Sequence, residues 1–198
     1  MEDTFHLHNK KLVLYAPTFR NSGDTRPYQW DYARVISAFS QYFQEDTVLL
    51  FRLHPNLQDC DFLNHCPENV INATSYPDMQ ELLVAADALI TDYSSSIFEF
   101  MLTERPAFLF SQDHENYIRN ERSMYFDLKD LPFPFAETED ALVEVISGFD
   151  PEAYHQQLKE FYKTVGLKED GHGSERVANI VFQMCHDEWT HTAPSAQG

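Results

Sequence analysis

The sequence predicts an α/β fold, a Rossmann-like parallel sheet flanked by helices. Short apolar runs alternate with stretches of helical period, the pattern of repeated βαβ units. Most of these runs also stop at a polar exit, as strands do when they deliver a loop to one edge of an open sheet.

The first strand is Leu12-Val13-Leu14-Tyr15-Ala16, halted by Pro17, which cannot continue a central strand. From Asp31 the apolar residues Tyr32, Val35, Ile36, Phe39 and Phe43 recur at helical spacing. Residues 48–53 form the second strand, ending at His54-Pro55, and residues 70–73 a weaker third. Asp78 followed by Glu81 marks a helix start, with Leu82, Leu83 and Ala86 facing inward. Ala88-Leu89-Ile90 is the fourth strand and breaks at Thr91-Asp92. A helix from about Ser94 then carries Ile97, Phe98, Met101 and Leu102. Pro106 introduces the fifth strand, residues 107–110. Closing helices are expected over 141–146, 154–161 and 175–184, with Asp150-Pro151 a good start for the middle one. Residues 10–186 read as a single nucleotide-binding domain and residues 187–198 as a frayed polar tail.

Composition excludes several classes. With 198 residues, 16 Phe and 10 Tyr, the chain can bury a sizeable core and is not disordered throughout. No apolar run approaches the roughly 18 residues that span a bilayer, so direct membrane insertion is not expected. The start Met1-Glu2-Asp3 is unlike a secretory leader, which makes a cytoplasmic location the expectation. Cys60, Cys66 and Cys185 are odd in number and lack CxxC spacing, arguing against a disulfide framework. Cys60, His65 and Cys66 lack a fourth ligand at zinc spacing, so no metal site is expected there.

A formal charge of -18 repels nucleic acid and anionic lipid. A phosphate-bearing ligand would therefore need positive charge gathered locally. Arg20, Arg52, Arg119 and Arg122 are available for that, and a guanidinium fork suits bidentate phosphate contact. The plainer reading pairs some of them with the abundant carboxylates.

In an open parallel sheet the ligand lies beyond the carboxyl ends of the strands. The exits here are Pro17-Thr18-Phe19-Arg20, Arg52-Leu53-His54-Pro55, Thr91-Asp92-Tyr93-Ser94-Ser95-Ser96 and Ser111-Gln112-Asp113. Ser94, Ser95 and Ser96 sit where a strand hands over to a helix. Unpaired amides and hydroxyls at such a point receive an anion. They serve equally as a cap, with Ser96 and Glu99 as a capping box. Glu99, one turn further on, suits a ribose diol. His54 follows Arg52 by two positions, so both side chains point the same way if strand geometry persists. Its imidazole is suited to donate to a diphosphate or protonate a leaving phosphate. Asp92 and Asp113 either hold a Mg²⁺ between phosphate oxygens or cap loops, and loop caps are the simpler reading.

Taken together, these segments resemble the C-terminal half of the CDP-glycerol glycerophosphotransferase family. The likeness runs through Leu14 to Arg20, Arg52-Leu53-His54-Pro55, Leu89 to Ser95 and Phe98-Glu99. It continues through Arg105-Pro106, Asp113 to Tyr117, Asp170-Gly171 and Ser174-Glu175-Arg176-Val177. The resemblance implies the donor-nucleotide half of a GT-B architecture. It implies transfer of glycerol phosphate, or ribitol phosphate in relatives, from a CDP donor to an acceptor hydroxyl, with release of CMP, in teichoic-acid or capsule-like polymer synthesis. It further implies that His54 is catalytic at the donor diphosphate. Thr18, Arg20, Arg52, Asp92, Ser94, Ser95, Ser96, Glu99 and Arg122 would share the nucleotide and diphosphate contacts.

No cofactor is expected beyond that candidate Mg²⁺. A lipid-linked acceptor and the base that activates it belong, by the resemblance, to an N-terminal half expected to be absent here. The chain alone is then expected to bind its donor without turnover, and the complete enzyme to sit peripherally on the inner face of the plasma membrane. Two departures bear on the donor: Ser123 follows Arg122 where the family has glycine, and Pro132-Phe133-Pro134 replaces Pro-Gly-Pro. Two rival readings are a UDP-sugar glycosyltransferase or epimerase domain of the same architecture, and a non-catalytic nucleotide-binding scaffold.

Overall fold

The computed structural model describes residues 9–57, 66–120 and 124–192. Its described part falls into two compact units, one up to Phe161 and one from Tyr162. The first unit is built on a six-stranded sheet in the order β3-β2-β1-β4-β5-β6, with every pairing parallel. The strands are β1 (Lys11–Tyr15), β2 (Thr47–Phe51), β3 (Val70–Asn72), β4 (Ala88–Thr91), β5 (Ala107–Phe110) and β6 (Phe135–Ala136). Helices α1 (Tyr32–Phe43), α2 (Met79–Ala85), α3 (Ser96–Phe100), α4 (His114–Asn120), α5 (Glu139–Ser147) and α6 (Pro151–Val165) follow in sequence, and α7 (Gly173–Thr192) lies in the second unit.

The strands are apolar along their whole length because helices cover both faces of a parallel sheet. All five residues of β2 and all four of β4 and β5 are buried. On one face Val13, Tyr15, Leu49, Phe51, Ile90 and Phe108 meet Val35, Ile36 and Phe39 of α1 and Leu142 and Ile146 of α5. Each such side chain contributes about 1.5–3 kcal/mol on burial. Edge-on aromatic contacts add directionality, as between Phe39 and Phe108 (centroids 5.5 Å, 79°) and between Tyr15 and Phe51 (4.9 Å, 84°). The other face buries Leu12, Leu14, Leu50 and Leu89, with Leu82 of α2 and Phe100 of α3 also fully enclosed.

Helix ends follow local chemistry. Asp31 caps α1 by accepting from the Arg34 amide at 3.1 Å, and Asp78 caps α2 from the Gln80 amide at 2.8 Å. Pro151 opens α6 as expected, with Asp150 accepting from the Glu152 amide at 2.9 Å. Among the described residues no helix is long and apolar enough to cross a membrane.

Several boundaries differ from the sequence reading. β2 ends at Phe51, so Arg52 and Leu53 belong to the exit loop. The helix after β4 begins at Ser96, lasts only to Phe100 and tightens into a 3-10 turn over Met101–Thr103. α7 continues past Met184 to Thr192. β6 and α4 were not anticipated. β6 is a two-residue edge strand, too short to show a period.

Candidate functional site

β1 lies between β2 and β4, and the chain crosses to opposite sides of it through β2-β3 and β4-β5-β6. The loops leaving β1 and β4 therefore diverge and open a crevice at their carboxyl ends. The two exits are tied at its base. The Ala16 amide donates to Ile90 O at 3.0 Å, and the Thr91 hydroxyl donates to Ala16 O at 2.7 Å.

A cleft of about 760 Å³ occupies this point. The β1 exit contributes Thr18 and Phe19, the β2 exit Arg52 and His54, and the β4 exit Ser94 and Ser95. Tyr93, Tyr117 and Met79 complete the walls. Three strand exits distant in sequence, with Met79 and Tyr117, thus converge on one volume.

Arg52 is half-buried, and its Nη1 donates to Thr74 O. Its amide donates to Tyr15 O at 2.8 Å and the Leu53 amide to Thr74 Oγ1 at 3.1 Å, which fixes the start of the exit loop. Partial burial lowers the Arg52 pKa from its ordinary value. His54 is exposed, and its ring lies 5.0 Å from that of Phe19. Its Nδ1 accepts from the Asn56 amide at 3.3 Å. That bond assigns the proton of the neutral ring to Nε2.

Ser95 is the N-cap of α3 and makes no capping hydrogen bond with its side chain. Ser94 Oγ pairs with Ser96 Oγ at 2.9 Å and accepts from the Ser96 amide at 3.3 Å. The Ser96–Glu99 capping box is not formed, because the exposed Glu99 carboxylate accepts from Gln80 Nε2. Ser94 and Ser95 line the cleft; Ser96 is buried behind them, and neither it nor Glu99 lines the cleft.

Arg20 takes a place different from the phosphate contact expected of it. It is only 4% exposed and does not line the cleft. Its Nε donates to Asp113 Oδ2 at 2.8 Å, and its Nη2 donates to Asp113 Oδ1 at 3.0 Å and to Asp92 Oδ2 at 2.8 Å. Nη1 donates to Thr18 O at 2.5 Å. The guanidinium carbon lies 4.9 Å from the ring centres of both Tyr93 and Tyr117. Burial alone would lower the Arg20 pKa, but the two carboxylates more than offset it and hold the group charged.

Asp92 and Asp113 do come together, around Arg20 rather than around an open cation position. Asp92 Oδ1 also accepts from the Thr18 amide at 2.7 Å and the Tyr93 amide at 2.6 Å. Burial raises its pKa, and Arg20 and these amides draw it back. Among the described residues no group of three or more His, Cys, Asp or Glu side chains is arranged to hold a metal. Arg122, Ser123, Cys60 and His65 lie outside the described residues. Sequence reasoning gave no role to Tyr93 and Tyr117, which stack face to face at 3.6 Å and 9° in the cleft wall. Both lay inside quoted motifs, but nothing in their spacing marks a stacked pair.

The wider likenesses of the chain agree with this geometry. It is 32% identical over 180 residues to the teichoic acid glycerol-phosphate transferase of Staphylococcus aureus (strain NCTC 8325 / PS 47), covering 88% of this chain and 46% of that protein. It is 34% identical over 183 residues to the teichoic acid poly(ribitol-phosphate) polymerase of Bacillus spizizenii, covering 89% and 28%. The solved wall teichoic acid polymerase TagF superposes with a TM-score of 0.69 at 26% identity, over 94% of this chain and 47% of that one. A glycotransferase of kitacinnamycin shares the fold alone, with a TM-score of 0.54 at 14% identity over 88% of this chain and 43% of that one. The expected Rossmann-like, GT-B-type sheet is thus borne out. The chain spans less than half the length of these relatives. The family model for CDP-glycerol:poly(glycerophosphate) glycerophosphotransferase matches residues 1–183, and the chain belongs to that family.

Proposed function

We propose that this chain binds a CDP-polyol, CDP-glycerol or its ribitol counterpart, as the donor half of a polyol-phosphate transferase of teichoic-acid-type polymer synthesis. The reading rests on one observation. Arg52, His54, Thr18 and the Ser94-Ser95 turn line the same cleft at the sheet's switch point. In a chain carrying a formal charge of -18, the described lining of that cleft holds Arg52 and no carboxylate.

The roles follow from the geometry. Arg52 keeps one Nη on Thr74 O and offers the rest of its fork to phosphate oxygens. Ser94 and Ser95 supply hydroxyls at the start of α3, where the Ser95 side chain makes no capping bond of its own. His54 presents Nε2–H outward, suited to the bridging oxygen of the diphosphate. An acceptor hydroxyl attacks the phosphorus that carries the polyol, the bond to the bridging oxygen breaks, and CMP leaves with that oxygen. The Nε2–H of His54 keeps its proton and hydrogen-bonds that oxygen as negative charge develops on it, so that CMP leaves as the anion. The proton of the acceptor hydroxyl goes to a base that we assign, with the lipid-linked acceptor, to a region matching the remaining length of the relatives. Binding to the inner face of the plasma membrane would come through that acceptor. Glu99 and Arg122 remain candidates for contacts to the nucleoside.

Calorimetric titration with CDP-glycerol, CDP-ribitol and UDP tests the assignment. Micromolar binding corresponds to about 8 kcal/mol, within reach of two or three charge-assisted hydrogen bonds at roughly 1.5–3 kcal/mol each plus contacts to the base. The expected order has a CDP-polyol binding tightest. UDP binding as tightly as either would overturn it.

A further inference from the structure

We infer that Arg20 is the positioning residue of the donor cleft, acting through the residues that line it and never touching the donor; this rests on the donor-site reading given above. Four hydrogen bonds leave its guanidinium, and all end on protein atoms: Asp113 twice, Asp92 and Thr18 O. With four of its five N–H donors so committed and the side chain only 4% exposed, little remains for a ligand.

What Arg20 holds is the cleft itself. Thr18 lines it and is fixed from both sides, its carbonyl accepting from Arg20 Nη1 and its amide donating to Asp92. Tyr93 and Tyr117 line it, stacked on each other with the guanidinium against both rings. The Tyr93 amide donates to Asp92, and its hydroxyl donates to Asp113 at 2.9 Å and also meets Ser111 Oγ. Tyr28 closes the remaining side, accepting from the Arg20 amide at 3.2 Å and donating to Thr18 O at 3.0 Å. The exits of β1, β4 and β5 are therefore joined through one buried cation. The serine turn begins at the residue after Tyr93, so its placement against Thr18 and Arg52 depends on this junction.

The charge balance explains why arginine is needed. Without it, Asp92 and Asp113 would face each other with only neutral partners, one 3% and the other 18% exposed at the side chain. Two carboxylates so placed either repel or take up a proton. Either response loosens the three exits. Lysine restores the charge but cannot bridge two carboxylates and a carbonyl in one plane.

The test uses Arg20→Lys, Arg20→Gln and the milder Asp113→Asn, which keeps the side-chain size should Arg20→Gln fail to fold. The ligand-free readout is amide hydrogen exchange. Exchange should rise by at least about tenfold at Thr18 and Tyr93, whose amides donate to Asp92, and at Ser96, whose amide donates to Ser94 Oγ, while the β2 and β3 amides stay protected. A residue serving only global stability would raise exchange across the whole sheet, and that pattern overturns the inference. The binding readout is the Kd for CDP-glycerol, expected to weaken about tenfold in Asp113→Asn and further in Arg20→Gln, with Arg20→Lys between wild type and Arg20→Gln. Ser95→Ala should cost much less on the Asp113→Asn background than in wild type, because the turn is already misplaced. Additive losses, or wild-type affinity in a folded Arg20→Gln protein, overturn it as well. Failure of the wild-type protein to take up CDP-glycerol would sink the donor reading instead, and the exchange pattern then decides the role of Arg20 alone.

Discussion

Replacing His54 by Ala should separate binding from stability. The side chain is exposed, touches the Phe19 ring at 5.0 Å and accepts one long bond, 3.3 Å, from the Asn56 amide. Removing it opens no buried cavity, so unfolding free energy should change by no more than about 0.5 kcal/mol. If Nε2–H donates to the donor diphosphate, the lost charge-assisted bond is worth about 1.5–3 kcal/mol. That corresponds to a roughly 10- to 150-fold weaker Kd for CDP-glycerol. The assays are urea unfolding followed by circular dichroism, and calorimetric titration of the folded variant. His54→Gln, which can still donate a neutral hydrogen bond, should recover part of the affinity. A folded His54→Ala protein binding CDP-glycerol within about twofold of wild type would refute the placement of His54 on the diphosphate.

Two further outcomes test the scaffold and the second unit. Phe108→Ala removes a ring that is 0% exposed and packed against Phe39 and Phe149, and should lower stability by about 3–5 kcal/mol in urea unfolding; a loss below about 1 kcal/mol would contradict that core. In the second unit, the hydrogen bonds from Arg176 and the His172 amide hold the Asp170 carboxyl below its ordinary range. A depressed folded pKa means the contribution is complete above the unfolded value near 3.9 and is lost as pH falls through the folded one. An NMR titration should therefore show the Asp170 midpoint rising in Arg176→Ala, and an unmoved midpoint would refute the pairing.

The sheet was legible because a parallel strand buried on both faces is a contiguous apolar run, and β1, β2, β4 and β5 each show one. Their exits could be read for the same reason, since the switch-point rule needs only strand order and direction. Arg52, His54, Ser94 and Ser95 reached the cleft by that route. Arg20 did not, because its partners are set by tertiary approach: Asp92 is 72 positions away and Asp113 is 93. A sequence shows that the guanidinium is present but not that two carboxylates claim it first. The same limit applies to Ser96 and Glu99, where local spacing suggested a capping box and Gln80 of the neighbouring helix drew the carboxylate away. β6 escaped because a two-residue edge strand has no periodicity to detect.

The central place of β1 has a consequence for how the chain is made. Of the six strands of this sheet β1 leaves the ribosome first, and β2 covers one of its sides soon after. Its other neighbour, β4, comes much later: the Thr91–Ala16 bond that closes the pair spans 75 residues. Until then, one long row of unpaired amides and carbonyls on β1 stands open, flanked by Leu12, Val13, Leu14 and Tyr15, with Lys11 as its only charged residue. Such an edge invites pairing with another nascent chain. Slow translation over residues 47–88, or chaperone cover of β1, should therefore govern the soluble yield of this protein more strongly than any change in the stability of the finished fold.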